Sequence, residues 1–106
     1  MSDAPDLTPA EFVRQRAGDA PLLDVRTPGE FADGHLAGAV NVDVRDPGFN
    51  DRVESLKLPA DAPVYLYCGS GKRAGQAAAT LREMGHAGAV NVGGLDDLAR
   101  AGAEVA

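Results

Sequence analysis

The chain has a single cysteine, Cys68. An intramolecular disulfide, a Cys-x-x-Cys redox pair and a multi-cysteine zinc site are therefore all excluded, and any thiol chemistry passes through Cys68 with an external partner. No uninterrupted apolar run approaches the length of a membrane span, and the start, Met1-Ser2-Asp3-Ala4-Pro5-Asp6, has neither a basic nor an apolar leader segment. The expectation is a cytoplasmic protein without a membrane partner. Basic residues are scarce: ten Lys and Arg stand against sixteen Asp and Glu, for a formal net charge of −6. Such a surface repels a phosphate backbone, which argues against nucleic acid. It leaves open a small anion held at one point by backbone N–H groups and a few cations.

What is present suits one soluble domain. The 106 residues, 44% hydrophobic and 25% charged, are enough for a single core and too few for two. We take residues 1–106 as one domain, with 1–5 as an N-terminal tail. Thr8, Pro9 and Glu11 spell a capping box at the start of a short helix reaching about Arg16, which Gly18 and Pro21 punctuate. Leu22-Leu23-Asp24-Val25 reads as a buried strand, and Thr27-Pro28-Gly29-Glu30 repeats the helix-start signal. Ala39 to Val42 reads as a strand, and Val53, Leu56 and Leu58 suggest a weaker helix before Pro59. Val64-Tyr65-Leu66-Tyr67 is the clearest strand; Arg73 to Met84 is a strong helix that Gly85 ends. Ala89 to Val92 and Leu95 to Arg100 add a strand and a helix. The alternation predicts a parallel sheet covered on both faces. Ala37-Gly38-Ala39-Val40-Asn41-Val42 and Ala87-Gly88-Ala89-Val90-Asn91-Val92 are nearly the same, and we read them as two equivalent strand segments of one sheet.

In such sheets ligands bind beyond the carboxyl ends of strands, and Cys68-Gly69-Ser70-Gly71-Lys72-Arg73 lies there, between the clearest strand and the strongest helix. Gly69 and Gly71 let the backbone curl so that successive N–H groups face inward at the positive end of the helix, while Lys72 and Arg73 add cations. That setting favours negative charge on sulfur. A lone cysteine is more often a small buried residue, but not with this sequence directly after it. Gly69-Ser70-Gly71-Lys72-Arg73-Ala74 also fits the dinucleotide pattern Gly-x-Gly-x-x-Ala, yet Asn91 stands where an acidic residue is expected; a Walker A loop fails because Arg73 follows Lys72.

Four blocks in order resemble the rhodanese family: Leu23-Asp24-Val25-Arg26-Thr27-Pro28 with Glu30-Phe31, Gly34-His35-Leu36 with Gly38-Ala39 and Asn41, Tyr67 to Ala74, and Gly93-Gly94-Leu95 with Ala101-Gly102. The resemblance implies a doubly wound parallel sheet of about five strands with helices on both faces. It further implies that a catalytic Cys68 follows the fourth strand and is loaded as a persulfide from thiosulfate, then unloaded by cyanide or a thiol. Gly69, Ser70, Gly71, Lys72 and Arg73 would bind the donor. Related phosphatases carry Cys-x5-Arg; here only four residues separate Cys68 from Arg73, which favours sulfur transfer. Glu30 stands where mercaptopyruvate sulfurtransferases place an Arg, which favours thiosulfate, and Leu98 stands where many members have Trp. The alternative is a carrier whose Cys68 takes sulfur from a partner protein.

Asp24 and Arg26 are read as a supporting ion pair rather than as catalysts. His35 and His86 are too isolated for a metal site, and no metal or cofactor is expected. The expected partners are a small anionic sulfur donor and a thiol or protein acceptor, and nothing demands more than a monomer.

Overall fold

The computed structural model describes residues 6–16 and 20–106; the expected tail at 1–5 and the helix-ending Gly18 lie outside the described residues. Both capping boxes form. Thr8 Oγ1 accepts from the Glu11 N–H at 3.1 Å and Glu11 Oε1 accepts from the Thr8 N–H at 2.9 Å, which starts helix α1, Pro9–Gln15. Thr27 and Glu30 do the same for α2, Pro28–Ala32. Each pairing satisfies two N–H groups that a helix start leaves without partners.

The remaining elements are β1 (Leu22–Asp24), β2 (Val40–Asn41), α3 (Phe49–Ser55), β3 (Val64–Cys68), α4 (Lys72–Glu83), β4 (Ala89–Gly94) and α5 (Leu95–Arg100). All strand pairs are parallel, in the order β2-β1-β3-β4, as the alternation of elements predicts. The helix expected around Val53 to Leu58 lies earlier, because Asp46-Pro47-Gly48 turns the chain directly into it and Lys57 leaves the helix with φ +52°. β4 runs two residues past Val92. The register opposes Leu66 to Asn91 but Cys68 to Gly94, so β4 carries one extra residue there, a bulge made possible by Gly93 at φ +103°.

Among the described residues the sheet has four strands. At the outer edge of β4 the N–H groups of Asp6 and Leu7 both donate to Asn91 O, at 2.8 and 3.2 Å. Two donors on one carbonyl do not make a ladder, so this edge is covered without becoming a strand. Cys68 consequently ends the third described strand, where the resemblance placed the catalytic cysteine after the fourth.

The sheet is buried on both faces, as parallel sheets must be. One face packs Leu23, Val25, Val64, Leu66 and Cys68 against α3 and α4; the other packs Leu22, Tyr65, Tyr67 and Val92 against Phe12 of α1 and Leu98 of α5. Phe12 and Tyr65 meet edge to face with ring centroids 5.0 Å apart. α4 reaches the sheet so closely because Ala74, Ala77 and Ala78 present only methyl groups to it. No helix among the described residues is long and apolar enough to cross a membrane.

Leu66 is fully buried at the centre of β3, so Leu66→Ala removes apolar contacts and leaves a cavity. Urea unfolding should show a loss of about 2–5 kcal/mol, as a lower midpoint with unchanged slope.

Candidate active site

β3 delivers Cys68 to the carboxyl edge of the sheet as its last residue, and the chain enters α4 within four residues. Gly71 is the N-cap, at φ +95° and ψ −14°, a left-handed conformation open to glycine at little cost. The turn it makes aims its own N–H back at the sulfur. Cys68 Sγ accepts from Gly71 N at 3.0 Å and from Ala74 N at 3.4 Å, in the first turn of α4. The sulfur is buried while Gly69, Ser70 and Lys72 are exposed. The expected arrangement of curled loop, inward N–H groups and helix terminus is present.

The loop is backed by β4. A Cβ on Gly94 would lie 2.4 Å from Gly69 O, and one on Gly71 would lie 3.3 Å from Gly93 Cα. Glycines on both sides let two backbones touch where side chains would hold them apart. Asn91, buried on β4, donates from Nδ2 to Gly71 O at 2.9 Å and accepts at Oδ1 from Gly93 N at 2.9 Å.

Arg73 does not point its guanidinium freely at the loop mouth. It makes a forked pair with Glu30 of α2, Nη1 to Oε1 at 2.7 Å and Nη2 to Oε2 at 3.0 Å. This pair anchors the start of α4 to α2, while Nη2 stays at the loop, 3.3 Å from where a Cβ on Gly69 would stand. The guanidinium bond from Arg73, helped by the Thr27 capping bonds and opposed by burial, lowers the Glu30 carboxyl to about 2. Glu30 in turn raises Arg73, with smaller contributions from Cys68 and Asp43. Lys72 projects into solvent at the loop and is the loop's other cation.

Asp24 and Arg26 sit on the face opposite Cys68 and form a buried pair, Arg26 Nη2 to Asp24 Oδ2 at 2.7 Å. Tyr67 OH donates to Asp24 Oδ2 at 2.8 Å and accepts from Leu36 N at 2.9 Å; Arg26 Nη2 also donates to Gly34 O at 2.6 Å. Both Asp24 oxygens, the Tyr67 hydroxyl and Arg26 Nε and Nη2 are engaged, which offsets the cost of burying the charges. Burial pushes the Tyr67 hydroxyl up, and its bond to Asp24 adds to this. The network therefore fixes Tyr67, the residue before Cys68, and ties it to the 34–36 turn. His35 stacks on Phe31 with centroids 3.7 Å apart and its Nδ1 lies 2.9 Å from Phe31 O; His86 Nδ1 lies 3.2 Å from Pro59 O.

The sequence does not single out Asn91, Gly94 or Tyr67 as site residues, and it reads Glu30 only as standing in place of an Arg, not as the partner of Arg73. Glu30 carried a signal, its place in a capping box, but that signal names Thr27 as partner and is silent about Arg73. Asn91 carried one too, as a polar residue in the middle of an otherwise apolar strand.

Removal of the Glu30 charge gives a pH test. A carboxyl held at about 2 against an ordinary 4.5 adds stability that is complete above 4.5 and is lost as pH falls toward 2. The carboxylate is 39% exposed, so screening limits the contribution to about 0.5–1 kcal/mol. Wild type should exceed Glu30→Gln in urea stability by that margin at pH 7, and the two should converge as the pH is lowered through that window.

Known proteins give the same picture. Residues 8–101 match the rhodanese-like domain. The uncharacterized protein YqhL of Bacillus subtilis is 44% identical over 81 residues, covering 74% of this chain and 59% of that protein, so the chain spans less than two thirds of this relative. Thiosulfate sulfurtransferase PspE of Escherichia coli is 34% identical over 77 residues, 73% of this chain and 72% of that one. The solved structure of a rhodanese with anions from E. coli superposes with a TM-score of 0.71 at 29% identity, over 82% of this chain and 96% of the other. From its first capping box to the turn after α5, the chain belongs to the rhodanese-like domain family.

Proposed function

We propose that this rhodanese-family sulfurtransferase takes its sulfur from thiosulfate and carries it as a persulfide on Cys68. In the first step the Cys68 thiolate attacks the outer sulfur of thiosulfate, a new S–S bond forms at Sγ, the old S–S bond breaks and sulfite leaves with the electron pair. In the second, cyanide or a thiolate attacks the terminal sulfur, the bond to Sγ breaks and the thiolate returns. No net oxidant is needed. Gly71 N–H and Ala74 N–H, which already meet Sγ, stabilise the anionic sulfur before and after each transfer. Gly69 and Ser70 form the open side of the loop, and Lys72, exposed and adjacent, supplies the attraction for a doubly charged donor.

The observation that carries this reading is a buried sulfur with two N–H donors at the start of a helix. Burial of Sγ favours a small donor that can enter the loop over a protein that would have to reach into it. The likeness to PspE, a thiosulfate sulfurtransferase, supports the same donor.

Purified protein incubated with thiosulfate and cyanide should form thiocyanate, and Cys68→Ser should reduce the rate to the uncatalysed background. Wild type inactive with thiosulfate but loaded by a protein persulfide would overturn the choice of donor and turn the protein into a partner-fed carrier.

A further inference from the structure

We propose that Asn91 is a positioning residue for sulfur transfer, whose side-chain amide locks the Gly71–Lys72 peptide so that the loop N–H groups stay aimed at sulfur. This rests on the reading of Cys68 given above. The amide of Asn91 meets one end of the loop and one end of the β4 bulge at once. Its Nδ2 donates to Gly71 O at 2.9 Å, and its Oδ1 accepts from Gly93 N at 2.9 Å. Gly71 O also accepts from Gly75 N at 2.9 Å, so this carbonyl takes two donors, one from the helix and one from the sheet.

A peptide held in this way has little freedom to flip. Gly71, at φ +95°, is the residue for which a flip would otherwise be easiest. The Gly71 N–H belongs to the preceding peptide, so an unpinned Gly71 carbonyl would let Gly71 turn about ψ and carry the Ser70–Gly71 peptide, with the N–H that meets Sγ, out of line. The same two bonds polarise the Gly71–Lys72 peptide, whose other end is the Lys72 N–H, one of the groups at the helix start without an intrahelical acceptor. Asn91 therefore acts on the loop that holds the sulfur without touching the sulfur itself.

Asn91 is itself held. Its backbone N–H donates to Asp6 Oδ2 at 2.9 Å, and its carbonyl accepts from the N–H groups of Asp6 and Leu7. Asp6 is paired in turn with Arg82, whose Nε donates to Ala89 O at 3.0 Å. The side chain is 2% exposed, and Gly75 is open enough to admit it: a Cβ there would stand 3.3 Å from Nδ2. On a face otherwise built from apolar side chains, an amide placed in this way answers a specific need for one donor and one acceptor.

Two variants separate positioning from simple filling of space. Asn91→Ala removes both bonds. Asn91→Asp keeps the shape and the acceptor for Gly93 N–H but turns an oxygen toward Gly71 O. The readouts are hydrogen exchange of the Gly71 amide, with Leu66 as a core reference, and the rate at which thiosulfate loads sulfur onto Cys68, followed by mass spectrometry. Positioning predicts that Gly71 exchange speeds up at least about tenfold in both variants relative to Leu66, more in Asp than in Ala, with loading slowed by about the same factor. Gly71 exchange within about twofold of wild type in both, or an Asp variant that matches wild type while Ala does not, overturns it. Wild type that fails to load from thiosulfate overturns the donor assignment alone, because the exchange measurement does not depend on the donor.

Discussion

A sulfur atom that carries negative charge under a protein surface must be met by donors, since water no longer supplies them. In this fold the requirement is met by backbone N–H groups at the end of a parallel strand, and much else in the molecule follows from it. The strand must end at the carboxyl edge of the sheet. The helix must begin almost at once, and the turn between them must bend in a direction most residues avoid. Gly71 supplies the bend, and the methyl-sized residues of α4 let the helix come down close enough for Ala74 N–H to reach the sulfur.

Charged side chains are arranged around this centre more as braces than as ligands. Arg73 is joined to Glu30 across 43 positions of sequence, which ties the first turn of α4 to α2. Asp24, Arg26 and Tyr67 form a second brace on the far face. Between them the strand that bears Cys68 is held from both sides of the sheet. In this acidic protein Arg73 and Arg26 are used to fix geometry, and the hydrogen bonds that reach the sulfur come from the backbone.

Much of this was legible in the sequence where the signal is local. Thr8 with Glu11 and Thr27 with Glu30 announce helix starts because each box closes within four residues, and Val64 to Tyr67 reads as a buried strand by composition. The loop from Cys68 to Arg73 shows its nest because the glycines, the cysteine and the helix are contiguous. What sequence reasoning did not reach is non-local. No spacing rule links Glu30 to Arg73 or Asn91 to Gly71, and the Gly93 bulge, which lengthens β4 and brings Gly94 against Gly69, depends on a register that only the paired strands reveal. The irregular pairing of Asp6 and Leu7 at the sheet edge escapes for the same reason.

The near-identical hexapeptides ending in Val42 and Val92 have a shared purpose once their asparagines are compared. Asn41 Nδ2 donates to Asp24 O and Arg26 O, and Asn91 Nδ2 donates to Gly71 O. Each outer strand thus fastens the outgoing turn of the inner strand beside it, like a rivet at either margin of a plate. With the frame secured at its margins, the side chains of Ser70 and Lys72 are left exposed at the mouth of the Cys68 loop, turned to whatever approaches from solvent.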